Sequence, residues 1–135
     1  LCLFSCLQSL FLQVNDTLMS LPQSLGELVS LRSLEISGNR KLASLPKSLG
    51  NLSNLQSLTI SSNSNLNNLP ESLGNLSGLV SLTISSNRLV YLPESLKRLA
   101  NSLETLDIRY SGIPRDRVQY WKTILPNTEI LSNYD

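Results

Sequence analysis

Apolar positions recur along this chain as Leu-x-x-Leu-x-Leu/Ile-x-x-Asn. The pattern fits at Leu7-Leu10-Leu12-Asn15, Leu31-Leu34-Ile36-Asn39, Leu55-Leu58-Ile60-Asn63 and Leu79-Leu82-Ile84-Asn87. A fifth copy, Leu103-Leu106-Ile108, has Ser111 in the Asn place. The starts 7, 31, 55, 79 and 103 advance by 24 residues each time. The second half of the unit repeats as well, as Leu21-Pro22-Gln23-Ser24-Leu25-Gly26, Leu45-Pro46-Lys47-Ser48-Leu49-Gly50 and Leu69-Pro70-Glu71-Ser72-Leu73-Gly74. In the fourth unit it reads Leu92-Pro93-Glu94-Ser95-Leu96, with one residue lost between Asn87 and Pro93 and one regained before Leu103.

Spacing decides what each half of the unit becomes. Leu10 and Leu12 are two apart, as are Leu34/Ile36, Leu58/Ile60, Leu82/Ile84 and Leu106/Ile108, so each pair points to one face of a short strand. Parallel neighbours lie about 4.8 Å apart, so five strands make a ladder on the order of 20–25 Å long. A parallel connection needs a crossover of a dozen or more residues, which a 24-residue unit supplies. Pro22, Pro46, Pro70 and Pro93 are suited to the first turn of a short helix. Leu25/Leu28, Leu49/Leu52, Leu73/Leu76 and Leu96/Leu99 then bury one helical face against the sheet. No unit can bury its apolar side alone, and stacking makes the core continuous. Asn15, Asn39, Asn63 and Asn87 end the strands as a ladder of buried amides that satisfy turn backbone groups.

On these motifs the chain resembles leucine-rich repeat proteins over essentially its whole length. Its Leu-Pro-x-Ser-Leu-Gly-Asn-Leu block is similar to repeats of bacterial leucine-rich-repeat effectors and of plant intracellular immune receptors. Plant receptor ectodomains match less well, since they usually carry Gly-x-Ile-Pro where this chain has Leu-x-x-Leu-Pro. The resemblance implies an α/β solenoid, with a curved parallel sheet on the concave side and short helices on the convex side. It further implies a single domain over residues 1–135.

The two ends depart from the repeat. Leu1, Phe4 and Cys6 align with Leu25, Leu28 and Ser30, so the expectation is a start in mid-repeat rather than a secretory leader. Cys2 and Cys6 are expected to be reduced, because a spacing of four on a helix gives poor bonding geometry. After Ile113-Pro114 the pattern stops. Val118, Trp121, Ile124 and Leu125 fall at helical spacing, and Leu125 to Ile130 is expected to add a last edge strand. Residues 112–135 are therefore expected to be a C-terminal cap that covers the leucines and strand edge of the last unit. Trp121 is read as a core residue of that cap, with a recognition aromatic as the alternative.

Composition narrows the chemistry. The chain of 135 residues holds 31 Leu, 23 Ser and 13 Asn, about half of all positions, so what looks like low complexity is periodic. Absence of His removes a Ser-His-Asp triad, a Cys-His pair and every His-ligated metal site. A net charge of +1 leaves no electrostatic footprint for nucleic acid or an anionic membrane. Arg115, Arg117 and Lys122 with Lys97 and Arg98 could form a basic end patch, but a solvated cap helix is the favoured reading. The sequons at Asn15, Asn51 and Asn75 are expected by chance in a chain so rich in Asn and Ser.

Residues flanking the strand leucines face the concave side. The central column is Phe11, Glu35, Thr59, Thr83 and Asp107, flanked by small hydroxyls and by Arg109, with Tyr110 next. Large or charged candidates sit at the ends: Phe11 with Glu35, and Asp107 with Arg109 and Tyr110, of which the second cluster is favoured because hot spots favour Trp, Tyr and Arg. Glu35 and Asp107 are three strands apart, roughly 14 Å, too far for paired-carboxylate chemistry. The expected function is a monomeric, non-enzymatic module without cofactor or metal, binding a partner protein on its concave face. The resemblance suggests the recognition domain of a bacterial effector acting in a host cell, with the cytosol as the compartment favoured by the absence of paired capping cysteines. The alternative is the substrate-recognition half of a larger enzyme, such as an effector ubiquitin ligase. A more remote reading is ice or glycan binding by the hydroxyl columns.

Overall fold

The computed structural model describes residues 6–134, so Leu1, Cys2 and Phe4 lie outside the described residues. Five strands stand where the repeat spacing puts them: β1 (Ser9–Gln13), β2 (Ser33–Ser37), β3 (Ser57–Ser61), β4 (Ser81–Thr83) and β5 (Thr105–Asp107). After a helix, α1 (Arg115–Ile124), a sixth strand follows, β6 (Glu129–Leu131). All pair in parallel in the order β1 to β6. The register is strict: Leu10 faces Leu34, Leu34 faces Leu58, Leu58 faces Leu82, Leu82 faces Leu106 and Leu106 faces Ile130. The result is a solenoid of stacked 24-residue units with a single parallel sheet along one side.

The expected short helices of the crossovers are single 3₁₀ turns, at Gln23–Glu27, Lys47–Asn51, Glu71–Asn75 and Glu94–Leu99. One detail differs: each proline stands just before the turn in an extended conformation, with φ between −60° and −72°, instead of in its first turn. The turns pack closely on one another. An ideal Cβ on Gly26, Gly50 or Gly74 would come within 2.4 Å of a backbone oxygen of Ser48, Ser72 or Ser95 in the next unit, and glycine admits that approach. The expected apolar stripe still holds, because Leu49, Leu52, Leu73, Leu76, Leu96 and Leu99 are buried, while Leu28 in the first crossover is half-buried.

The asparagine ladder runs through the interior. Asn39, Asn63 and Asn87 are buried, and their Nδ2 groups donate to the carbonyls of Leu12, Ile36 and Ile60 at 2.9, 2.9 and 2.7 Å. Their Oδ1 atoms accept the backbone N–H of Asn15, Asn39 and Asn63 one repeat earlier. Asn15 departs from expectation. It is exposed, because it follows the first described strand, with no earlier described strand beside it. Ser111 keeps its bond within its own unit, its Oγ donating to the Ile108 carbonyl at 2.7 Å.

α1 packs Val118 and Trp121 inward, and both are buried. Trp121 is thus a core residue, its ring edge-on to Tyr120 at 5.4 Å.

Candidate functional site

Period-two alternation turns one sheet face inward as the leucine core and the other outward. On the outward face, Phe11 faces Glu35, Glu35 faces Thr59, Thr59 faces Thr83 and Thr83 faces Asp107 across the ladder. The column is contiguous, but its members differ in availability. Phe11 is 59% exposed on β1. Glu35 is half-buried, and its Oε1 accepts from Gln13 Nε2 at 2.8 Å and from Ser37 Oγ at 3.0 Å. Thr59 and Thr83 form a half-buried hydroxyl floor between Ser57/Ser61 and Ser81/Ser85.

At the other end, Asp107 is buried and held by its own strand. Arg109 grips both carboxylate oxygens, Nε to Oδ1 at 3.0 Å and a terminal nitrogen to Oδ2 at 2.7 Å, and the Arg109 backbone N–H adds a third bond to Oδ1. The Arg109 hydrogen bonds hold the Asp107 carboxyl below its ordinary range. Asp107 is therefore a clamp that fixes Arg109 rather than a freely presented carboxylate. Arg109 and Tyr110 remain exposed, Tyr110 at 70%.

A backbone feature invisible in the hydrophobic pattern shapes the rim. Val14, Gly38, Ser62, Ser86 and Tyr110 all have left-handed φ, at 47°, 70°, 57°, 58° and 58°. They are 24 apart, one before each ladder position, so the chain reverses into the turn in the same way after each of β1 to β5. Gly38 suits that conformation, whereas a β-branched Val14 and a bulky Tyr110 carry strain there. Asn133 supports Tyr110, its Oδ1 accepting the Tyr110 backbone N–H. No repeat register pointed to Asn133, which lies beyond the last unit.

The basic residues at the C-terminal end do not form one patch. Arg117 donates to Glu94 Oε1 at 2.6 Å, Arg98 donates to Asn75 Oδ1, and Arg115 lies 5.3 Å over the Tyr134 ring. Cys6 is exposed, and no group of three or more His, Cys, Asp or Glu among the described residues is placed to hold a metal.

A family model described as a leucine-rich repeat region matches residues 2–121. Among solved structures, the leucine-rich repeat domain of the type III effector XopL is 30% identical with a TM-score of 0.78, covering 94% of this chain and 44% of that one. A leucine-rich-repeat protein of Leptospira interrogans is 29% identical with a TM-score of 0.70, covering 88% and 36%. The ectodomain of the Arabidopsis receptor kinase HAESA, in complex with a peptide hormone ligand, is 32% identical with a TM-score of 0.64, covering 90% and 21%. The chain thus spans less than half the length of each of these three. No curated protein sequence matches it.

Proposed function

We propose, from the premise that the chain belongs to the leucine-rich repeat family, that it is a protein-binding module that engages a partner protein across its outward sheet face. Domains of this family are generally protein–protein interaction modules and typically non-catalytic. The observation that carries the reading is the unbroken column from Phe11 through Glu35, Thr59 and Thr83 to Asp107. It is a floor of mostly short side chains with larger groups, Phe11 at one end and Arg109 and Tyr110 at the other. Short hydroxyls let a partner backbone come close, and the terminal aromatics and Arg supply anchors of the hot-spot type. Residues 112–135 act in this reading as a cap that keeps the last repeat from associating through its edge.

Likeness to the effector domain supports a finer reading, the recognition domain of an effector that meets a host protein. The test is to install bulk and charge on the floor. Thr59→Arg with Thr83→Arg leaves every buried leucine in place, and is expected to abolish capture of a partner isolated with the wild-type chain. Partner capture unaffected by the pair would refute the floor as the binding surface.

A further inference from the structure

Within the sheet face, we infer that Phe11 and Glu35 form a subsite for an arginine side chain of the partner protein. This rests on the reading of the chain as a protein-binding module, and it names the chemistry that the partner brings to the β1–β2 end.

Phe11 on β1 and Glu35 on β2 are register partners. On parallel strands their side chains stand side by side on the outward face, about 4.8 Å apart at the backbone. Phe11 is exposed, and Glu35 is half-buried and fixed from two strands. Gln13 Nε2 from β1 and Ser37 Oγ from β2 both donate to one oxygen, Oε1. Among the described residues no donor reaches the second oxygen, Glu35 Oε2, or the amide oxygen of Gln13. The carboxylate is thus oriented, with half of its accepting capacity unused. Thr59, next along the column, brings only a short hydroxyl side chain.

The other end of the same column shows what Glu35 lacks. Asp107 holds the equivalent place on β5, and the residue two positions on, Arg109, supplies its counter-charge. Two positions on from Glu35 stands Ser37, which supplies a hydrogen bond without a charge. No ion pair reaches Glu35 among the described residues. No Lys or Arg precedes Arg32 in the sequence, and β1, β3 and β4 carry no charged residue. Arg32 and Arg40, on either side of β2, are exposed and make no ion pair with Glu35. An incoming cation would offset the partial desolvation of this carboxylate. Arginine suits the place better than lysine, because its planar guanidinium can lie on the Phe11 ring while its N–H groups donate to Glu35 Oε2. The chain already contains one such arrangement. The Arg117 guanidinium lies 4.2 Å from the Tyr120 ring centroid and donates to Glu94 at 2.6 Å. At the β1–β2 end the aromatic and the carboxylate are both present, and the guanidinium is left to the partner.

The test is to pan a displayed library of random peptides on the folded chain and to measure the selected peptides by fluorescence anisotropy. Peptides bearing an Arg are expected, and replacing that Arg by Lys should weaken them. Affinity should fall about tenfold or more in Glu35→Gln and in Phe11→Ser. It should return in part when a peptide with Glu in place of its Arg meets the Glu35→Arg chain. Glu27→Gln, which removes an exposed carboxylate from the first crossover, should leave binding unchanged. Circular dichroism melts check that each variant folds. Selected peptides that lack Arg, or that bind Glu35→Gln as tightly as the wild type, would overturn the inference. If Thr83→Arg still abolishes their binding, the sheet-face reading stands. If Thr83→Arg leaves them bound as well, both fail, as they do if no peptide is selected. Equal losses in Glu27→Gln and Glu35→Gln would also overturn the inference, since attraction by overall charge would then suffice.

Discussion

At the scale of the residue, one amide does the work of several backbone groups. Asn63 accepts two hydrogen bonds from Asn39 at 3.0 and 3.2 Å and donates to the Ile36 carbonyl, all within the buried interior. Asn63→Ala removes these partners without supplying water. It is expected to cost roughly 2–4 kcal/mol in urea unfolding, because buried donors and acceptors left unpaired lose their full desolvation penalty. A loss under about 1 kcal/mol would show that the ladder is not what holds the turns. Tyr110 presents the opposite case. Its left-handed φ of 58° is unfavourable for a bulky side chain, by about 1–2 kcal/mol, and part of that is returned when glycine frees the unfolded chain. Tyr110→Gly is therefore expected to raise the melting temperature by a degree or more, on the order of what a fraction of a kcal/mol gives a domain of this size. It should at the same time weaken capture of a partner across the outward sheet face, where Tyr110 is a proposed anchor. Strain kept at an exposed aromatic is what a functional position would show, and a variant that melts no higher would remove that argument.

Among elements, the strands and the short helical crossovers were legible from the sequence, whereas the kind of helix was not, for a definite reason. Period-two pairs such as Leu34/Ile36 depend only on which face is buried, and their 24-residue spacing marks both the strands and their register. The Leu-Pro-x-Ser-Leu-Gly segments hold apolar residues at a spacing that fits an α-turn and a 3₁₀ turn alike. The close approach of Gly50 to Ser72 in the neighbouring unit is a tertiary fact that the pattern of one unit does not carry. The candidate column was readable for the same reason as the strands. The closure of Asp107 by Arg109 was not, because exposure of a strand residue does not reveal a side-chain bond two positions on. α1 is tied to the last crossover through Glu94, which accepts from Arg117 and from the Tyr120 hydroxyl at 2.6 Å each. The Tyr120 bond, then Arg117, hold the Glu94 carboxyl below its ordinary value of 4.5. A carboxylate lowered on folding contributes stability that is present above that ordinary value and is lost as pH falls through the lowered one. The wild-type chain should thus lose a small increment of stability in acid that Glu94→Gln lacks, the effect being modest because the pair is half exposed. Parallel acid titrations of the two proteins, followed by the near-ultraviolet signal of Trp121, check it; identical curves would sever this tie between helix and repeat.

For the whole molecule, the order β1 to β6 without any crossing means that each repeat is supported by its two neighbours and by little else. Element contacts bear this out, since β2 packs on β1 and β3, and each 3₁₀ turn packs on the next. Stability should then grade along the solenoid. Leu58 on β3 is fully buried between Leu34 and Leu82, whereas Leu10 on β1 is only half-buried with Leu34 on one side. Leu58→Ala is expected to lower the unfolding free energy by about 3 kcal/mol, through lost transfer energy and an uncollapsed cavity. Leu10→Ala should cost well under half of that, because water already reaches the site and the strand can fray without opening its neighbours. Hydrogen exchange gives the same comparison without mutation: amides of β3 and β4 should be protected to the level of global unfolding, and those of β1 should exchange through local opening. Equal protection in β1 and β3 would mean that the solenoid unfolds as one block. Graded protection would give the proposed binding face a stiff floor at Thr59 and Thr83 and a compliant end at Phe11, so that a partner could tighten the Phe11 end on binding while the floor keeps its shape.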